Sequence, residues 1–231
     1  MKQLQSLGLE SIKKVLLKHG IPEPLYGVKV EELKKINKKI KTGKHELSLQ
    51  LYDTGIYDAM YLAGLVAEPE KLSKKELEGW AKKATSPAIR EYTVAWCAAE
   101  SRYGMELALK WIESKDDGIA STGWSTLSNI LSITPDAELD VALLKQLLDR
   151  VVKTIHSSGN RTRHVMNVFV ISAGSYVKEL NAAAKAAAKK IGVVTVDMGG
   201  TACKVPDAIA YIEKVEAKGY LGRKKKSARC M

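Results

Sequence analysis

The chain has 231 residues, 45% of them apolar, with a formal charge of +11 and a pI near 9.4. That length fits one ordinary domain or one elongated repeat array, with enough apolar material for a core. No apolar run approaches a membrane span. The three cysteines, Cys97, Cys203 and Cys230, lack metal-ligand spacing, which argues against zinc, and their odd count without a signal-peptide pattern points to a reducing, cytoplasmic setting.

Helical signals dominate in chain order. Met1 to His19 predicts a helix with Leu4, Leu7, Ile12, Val15 and Leu16 inward, ended by Gly20-Ile-Pro-Glu-Pro24, because proline removes donors and disfavours helix in its predecessor. Val30 to Lys41 predicts a second helix with a lysine-rich outer face. Glu46 to Tyr52 and Tyr57 to Val66 follow, divided at Thr54-Gly55. Ser73-Lys-Lys-Glu76 is a capping box opening a helix to Lys83. Thr85-Ser86-Pro87 starts another, running to about Arg102, and Gly104 to Ser114 and Ile119 to Ser132 come next. Thr134-Pro135-Asp136 caps a long helix ending near Ile155, and His156 to Phe169 opens the next. Lys178 to Ile191 and Asp207 to Lys218 are the last helices, with Val193 to Val196 the one strand-like run.

Helix pairs recurring at roughly 30 to 40 residues mark a helical solenoid. A compact all-α domain is the alternative. Residues 1–218 form the expected repeat domain and 219–231 a basic tail, disordered when free. Five cations, Arg223, Lys224, Lys225, Lys226 and Arg229, sit in that tail, and removing them still leaves +6 on the body. A basic body and a basic tail both point towards nucleic acid.

The stretch most suggestive of an anionic partner is His156 to Phe169. Between Arg150 and Lys178 there are five Lys/Arg residues and no carboxylate. Ser157, Ser158 or Asn160 offers an N-cap, and Arg161 and Arg163 fall in the first helical turn, where free backbone N–H groups also favour phosphate. Lys153, Arg161, Arg163 and Lys178 are the candidate phosphate ligands, with Lys34, Lys38 and the tail in support, although the lysine-rich helix of Lys34 and Lys38 reads more simply as a solvated face. Among the acids, Asp53, Asp116 and Asp117 read as turn or cap residues. Glu91 lies near a helix start beside Arg90 and Tyr92, where a surface pairing is the bland reading. Trp80, Trp96, Trp111 and Trp124 have core packing as their default. No nucleophile–base pair, Walker loop or dinucleotide fingerprint is present. No metal and no cofactor are expected.

Leu51-Tyr-Asp53 with Asp58-Ala-Met-Tyr-Leu-Ala63, Trp111-Ile-Glu-Ser-Lys-Asp116 before a helix, and His156-Ser-Ser158 before the basic helix occur in an order that resembles the AlkD-like DNA alkylation repair family. These are HEAT-like helical-repeat proteins that include alkylpurine DNA glycosylases. The closing Thr201-Ala-Cys-Lys-Val-Pro-Asp207 and Gly222-Arg-Lys-Lys-Lys-Ser-Ala-Arg-Cys230 are similar to a subgroup of it. The resemblance implies an all-α HEAT-like solenoid (an α-α superhelix) with a concave basic face along which duplex DNA lies. It also implies release of N3- or N7-alkylated purines by two tryptophans, an aspartate and a backbone-binding arginine. An anionic carboxylate and electron-rich rings stabilise the cationic sugar left as the base departs.

This sequence departs from that pattern. Ser86-Pro-Ala-Ile-Arg-Glu-Tyr92 stands where the first tryptophan and the aspartate belong, so Glu91 or Tyr92 is the candidate catalytic residue. Phe169 stands at the second tryptophan, as a candidate DNA contact, and the arginine is replaced near Thr122. Three functions follow: a DNA N-glycosylase (a hydrolase), a non-catalytic binder of DNA structure, and a protein-binding scaffold. The expected partner is double-stranded DNA, alkylated or structurally altered, bound by a monomer with no membrane association.

Overall fold

The computed structural model describes residues 1–199 and 201–229, which are helical with no strand among them. The helices are α1 Lys2–Ser6, α2 Glu10–Lys18, α3 Val30–Lys39, α4 Lys44–Asp53, α5 Tyr57–Val66 and α6 Lys74–Lys83. A π-helical turn, Ile89–Val94, then runs into α7 Ala95–Glu100. The series continues with α8 Gly104–Trp111, α9 Asp117–Ile133, α10 Val141–Thr154, α11 Asn160–Tyr176, α12 Asn181–Ile191 and α13 Ala208–Ala217.

The helices form two layers. In one, α5, the π turn with α7, α9 and α11 pack side by side; α4, α6, α8, α10 and α12 form the other. Ties within the second layer display the repeat. Asp53–Lys83, Glu78–Lys110, Lys145–Glu179 and Arg150–Glu113 are ion pairs between successive outer helices or the turns that adjoin them, at separations of 30, 32, 34 and 37 residues. Tyr52 of α4 stacks on Trp80 of α6 with centroids 4.2 Å apart and donates its hydroxyl to the Trp80 carbonyl at 2.7 Å. The exposed ion pairs contribute only about 0–1 kcal/mol each, so the repeat is held by its core.

Small residues let the first layer close up. Every residue of α5 is buried, as is almost all of α9 from Ala120 to Leu131. The α9 hydroxyls are satisfied within their own helix: Thr122 donates to the Gly118 carbonyl and Thr126 to that of Thr122, both at 2.8 Å. They therefore need no partner across the interface. At Gly64 a Cβ would lie 2.8 Å from the Thr93 methyl group, and at Gly123 one would lie 2.7 Å from the Ile112 nitrogen. The two glycines mark the close approaches of α5 to the π turn and of α9 to α8.

Three expectations are corrected. The first predicted helix breaks into α1 and α2, since Gly8 lies so near Tyr26 that a Cβ would sit 2.5 Å from its carbonyl oxygen. Val15 is 51% exposed instead of inward. The strand-like run at 193–196 forms no strand pairing among the described residues. It lies extended along α11, where the Asn160 amide donates to the Asp197 carbonyl at 2.9 Å and accepts from the Asp197 N–H at 2.8 Å.

The third concerns the tail, which is ordered through Arg229. It crosses the carboxyl ends of the inner helices in turn. The Gly222 N–H donates to the Ser175 carbonyl of α11, and the Lys225 N–H to that of Ser132 in α9. The Ala228 N–H donates to the Glu100 carboxylate at the end of α7, and Arg229 to the Ala67 carbonyl beyond α5.

Candidate nucleic-acid interface

The π turn positions Glu91. A wider turn is the usual local answer where a helix must carry a side chain off the regular register. Thr93 sits in the Gly64 notch on one side, and on the other Glu91 turns inward, 8% exposed. There it meets Arg161 of α11 in a two-pronged ion pair, Nε to Oε1 at 2.8 Å and Nη2 to Oε2 at 2.5 Å. Burial pushes the Glu91 carboxyl above the usual carboxylate range, and the Arg161 ion pair pulls the other way. Arg90, next along, lays its guanidinium over Gly118, where a Cβ would fall 2.6 Å from its Cζ.

The amino end of α11 is occupied by the protein itself. Asp117 accepts from the backbone N–H groups of Arg161 and Thr162, both at 2.9 Å. Burial raises its carboxyl, but hydrogen bonds from Thr162 and these two N–H groups outweigh that and leave it below the usual range. The predicted caps are elsewhere: Ser157 and Ser158 donate to the Thr154 carbonyl, and Asn160 holds Asp197. A phosphate at this helix start would therefore meet the Asp117 carboxylate on the Arg161 and Thr162 N–H groups and a guanidinium already paired with Glu91. A cavity of about 260 Å³ lies beside it, but Arg150 and Asp117 in its wall are already engaged, with Glu113 and with α11.

The other candidates separate. Phe169 is fully buried, edge-on to Trp124 with centroids 5.1 Å apart, so its ring belongs to the core and not to a DNA-facing surface. Tyr92 is 49% exposed and tilted against Trp96 at 5.4 Å. It offers a stacking or hydrogen-bonding surface but no anion. Arg163 is three residues from Asn160 and four from Asn167, on the face of α11 that meets the 192–207 segment. Asn167 donates to the Pro206 carbonyl there, and no ion pair engages Arg163 among the described residues. Lys153 and Lys178 are exposed, and Lys178 packs its methylenes against Gly222 of the C-terminal segment. The structure thus joins Glu91 to Arg161 and Lys178 to the tail, and leaves Lys153 and Arg163 apart from both.

Residues 1–190 match the family described as DNA alkylation repair enzyme. The chain belongs to the DNA alkylation repair family. An uncharacterized protein of Listeria innocua is 38% identical over 221 residues, covering 92% of this chain and 93% of that one. One of Listeria monocytogenes is 37% identical over the same shares. A solved structure superposes with a TM-score of 0.92 at 35% identity, covering 100% of this chain and 97% of the other. It is described as a new family of proteins related to the HEAT-like repeat DNA glycosylases with affinity for branched DNA structures. The helical solenoid read from the helix pairs, and the HEAT-like fold that the family resemblance implies, are the fold observed.

Sequence reasoning missed two features of this family member. Asp117 passed as a turn residue, although one aspartate, Asp116, suffices to cap α9 by accepting from the Ile119 N–H at 2.8 Å. The second carboxylate was the signal. The ordered tail had none, because its partners are helix-end carbonyls and the scattered carboxylates of Glu100 and Asp136, which no residue pattern marks.

Proposed function

We propose that this chain binds branched or otherwise altered DNA and does not excise bases. The observation that carries the reading is the Glu91–Arg161 pair. A carboxylate stabilising a cationic sugar must reach the reacting carbon. Glu91 is buried and spends both oxygens on one guanidinium, so freeing it would strand two desolvated charges. Tyr92 supplies no charge to replace it, and Phe169 presents no ring.

DNA as partner is supported by family membership, by the +11 charge, and by the affinity for branched DNA described for a relative 35% identical over the whole chain. Lys153, Arg163 and Lys178 are the backbone contacts in this reading, made by a monomeric, cytoplasmic protein.

The test pairs two assays. Binding to a four-way junction and to linear duplex is measured across a salt series, and DNA bearing N3-methyladenine or N7-methylguanine is assayed for free base. Affinity should fall steeply with salt, since each neutralised phosphate adds about −0.9 to the log–log slope, and no base should appear. Any base release would refute the non-catalytic reading, with Glu91→Gln deciding whether Glu91 carries it, and salt-insensitive or absent binding would refute DNA as the partner.

A further inference from the structure

The C-terminal segment divides its cations into two sets. Lys224 and Arg229 point into the fold. Lys224 Nζ donates to the Leu131 carbonyl at 2.8 Å and pairs with Asp136 at 2.8 Å. Arg229 pairs with Glu100 at 2.8 Å, donates to the Ala67 carbonyl at 2.8 Å, and is largely buried with its partner. These carbonyls lie at or just beyond the carboxyl ends of α9 and α5, where the helix dipole is negative and unsatisfied acceptors collect. Arg223, Lys225 and Lys226 point outward, exposed and without a carboxylate partner among the described residues. Lys225 rests over the Tyr176 ring at 5.3 Å and Arg223 over the Tyr220 ring at 5.1 Å. Exposed Lys178, packed on Gly222, extends the row.

We propose that Lys178, Arg223, Lys225 and Lys226 form a fixed DNA-backbone-binding rim along the carboxyl edge of the inner helices, pinned in place by Lys224 and Arg229. The proposal rests on the DNA-binding reading above and adds to it a surface and a role. A disordered tail adds only non-specific attraction. A pinned row of cations has a spacing, so it distinguishes phosphates placed by a junction arm from those of a straight duplex. The charge and the geometry come from different residues, which makes them separable.

Junction and duplex of equal length are titrated by fluorescence anisotropy over a salt series against three proteins. The variant Arg223→Ser/Lys225→Ser/Lys226→Ser removes outward charge with no ion pair lost. It should lose about tenfold or more on the junction, its log–log salt slope shallower by about 2 to 3, with a markedly smaller loss on duplex. The variant Arg229→Gln keeps every outward cation and releases the pin. It should lose the junction preference while retaining duplex binding. If Arg229→Gln fails to fold by circular dichroism, a chain ending at Ser227 takes its place. Junction preference intact in the unpinned protein overturns the proposal in favour of a mobile charged tail. Equal losses on junction and duplex in the triple variant overturn it too, and both results leave the DNA-binding reading standing. Wild-type protein that binds neither DNA overturns both.

Discussion

Glu91 and Arg161, seventy residues apart in the chain, close a two-pronged ion pair that ties the π turn to α11. Removing one partner from a buried pair leaves an uncompensated charge, at a cost of about 3–5 kcal/mol, whereas replacing both by apolar groups is often neutral. Arg161→Ala is therefore expected to destabilise the fold strongly, and Glu91→Leu/Arg161→Met to recover most of that loss. Urea denaturation of the single and double variants measures the coupling. Single variants that each cost less than about 1 kcal/mol, the range of an exposed pair, would return Arg161 to the pool of available DNA ligands.

Phe169 makes a prediction of the opposite kind to the one its sequence position suggests. A fully buried ring against Trp124 leaves a cavity when truncated, and Phe169→Ala should cost about 3–5 kcal/mol. At a temperature where the variant is still folded, its DNA affinity and salt slope should match the wild type. A specific loss of junction binding by folded Phe169→Ala would place the ring at the interface after all.

How much was legible follows from what makes each feature. The helix pairs and the Ser73–Glu76 capping box were readable because amphipathic periodicity and cap chemistry are local, and the box forms as drawn. The break at Gly8 and the ordered tail were not, since both depend on contacts with distant backbone: Tyr26 for the first, Ser132 and Ala67 for the second. At the site, the sequence picked out Glu91, Arg161 and Phe169. It assigned them outward roles because cations at a helix start and an aromatic at a family position look the same whether they face solvent or one another. Only burial against Trp124 places the Phe169 ring in the core.

Acid should weaken the fold through His164 before it reaches the carboxylates that hydrogen bonds hold low, such as Asp117. Burial, aided by the nearby Arg161 charge, holds the His164 imidazole down to about 4 from 6.5. The unfolded chain therefore binds the proton more readily between those values, so stability rises with pH through that window and is lost as pH falls from about 6.5 to 4. His164 is only partly buried, and after solvent screening its share is on the order of 1–2 kcal/mol. Asp117, held below the usual range, adds a second loss at still lower pH. His164→Gln should flatten the pH–stability curve between pH 4 and 6.5, the window named above, and an unchanged curve would assign the acid sensitivity to other groups.

Gly159 precedes α11 with φ −57°, a backbone open to any residue, so its glycine is required by space and not by conformation. A Cβ there would lie 2.2 Å from the Asp117 Oδ1, the oxygen that accepts the Thr162 N–H. Gly159→Ala should push Asp117 off the helix end and leave the Arg161 and Thr162 N–H groups without their acceptor, costing about 1–3 kcal/mol. For a chain of this size that is roughly 2–4 °C in Tm per kcal/mol. Asp117→Ala should cost a similar amount. Because both substitutions break the same contact, Gly159→Ala/Asp117→Ala should cost much less than the sum. Strict additivity by calorimetry would mean that Asp117 and the start of α11 are not held together as described.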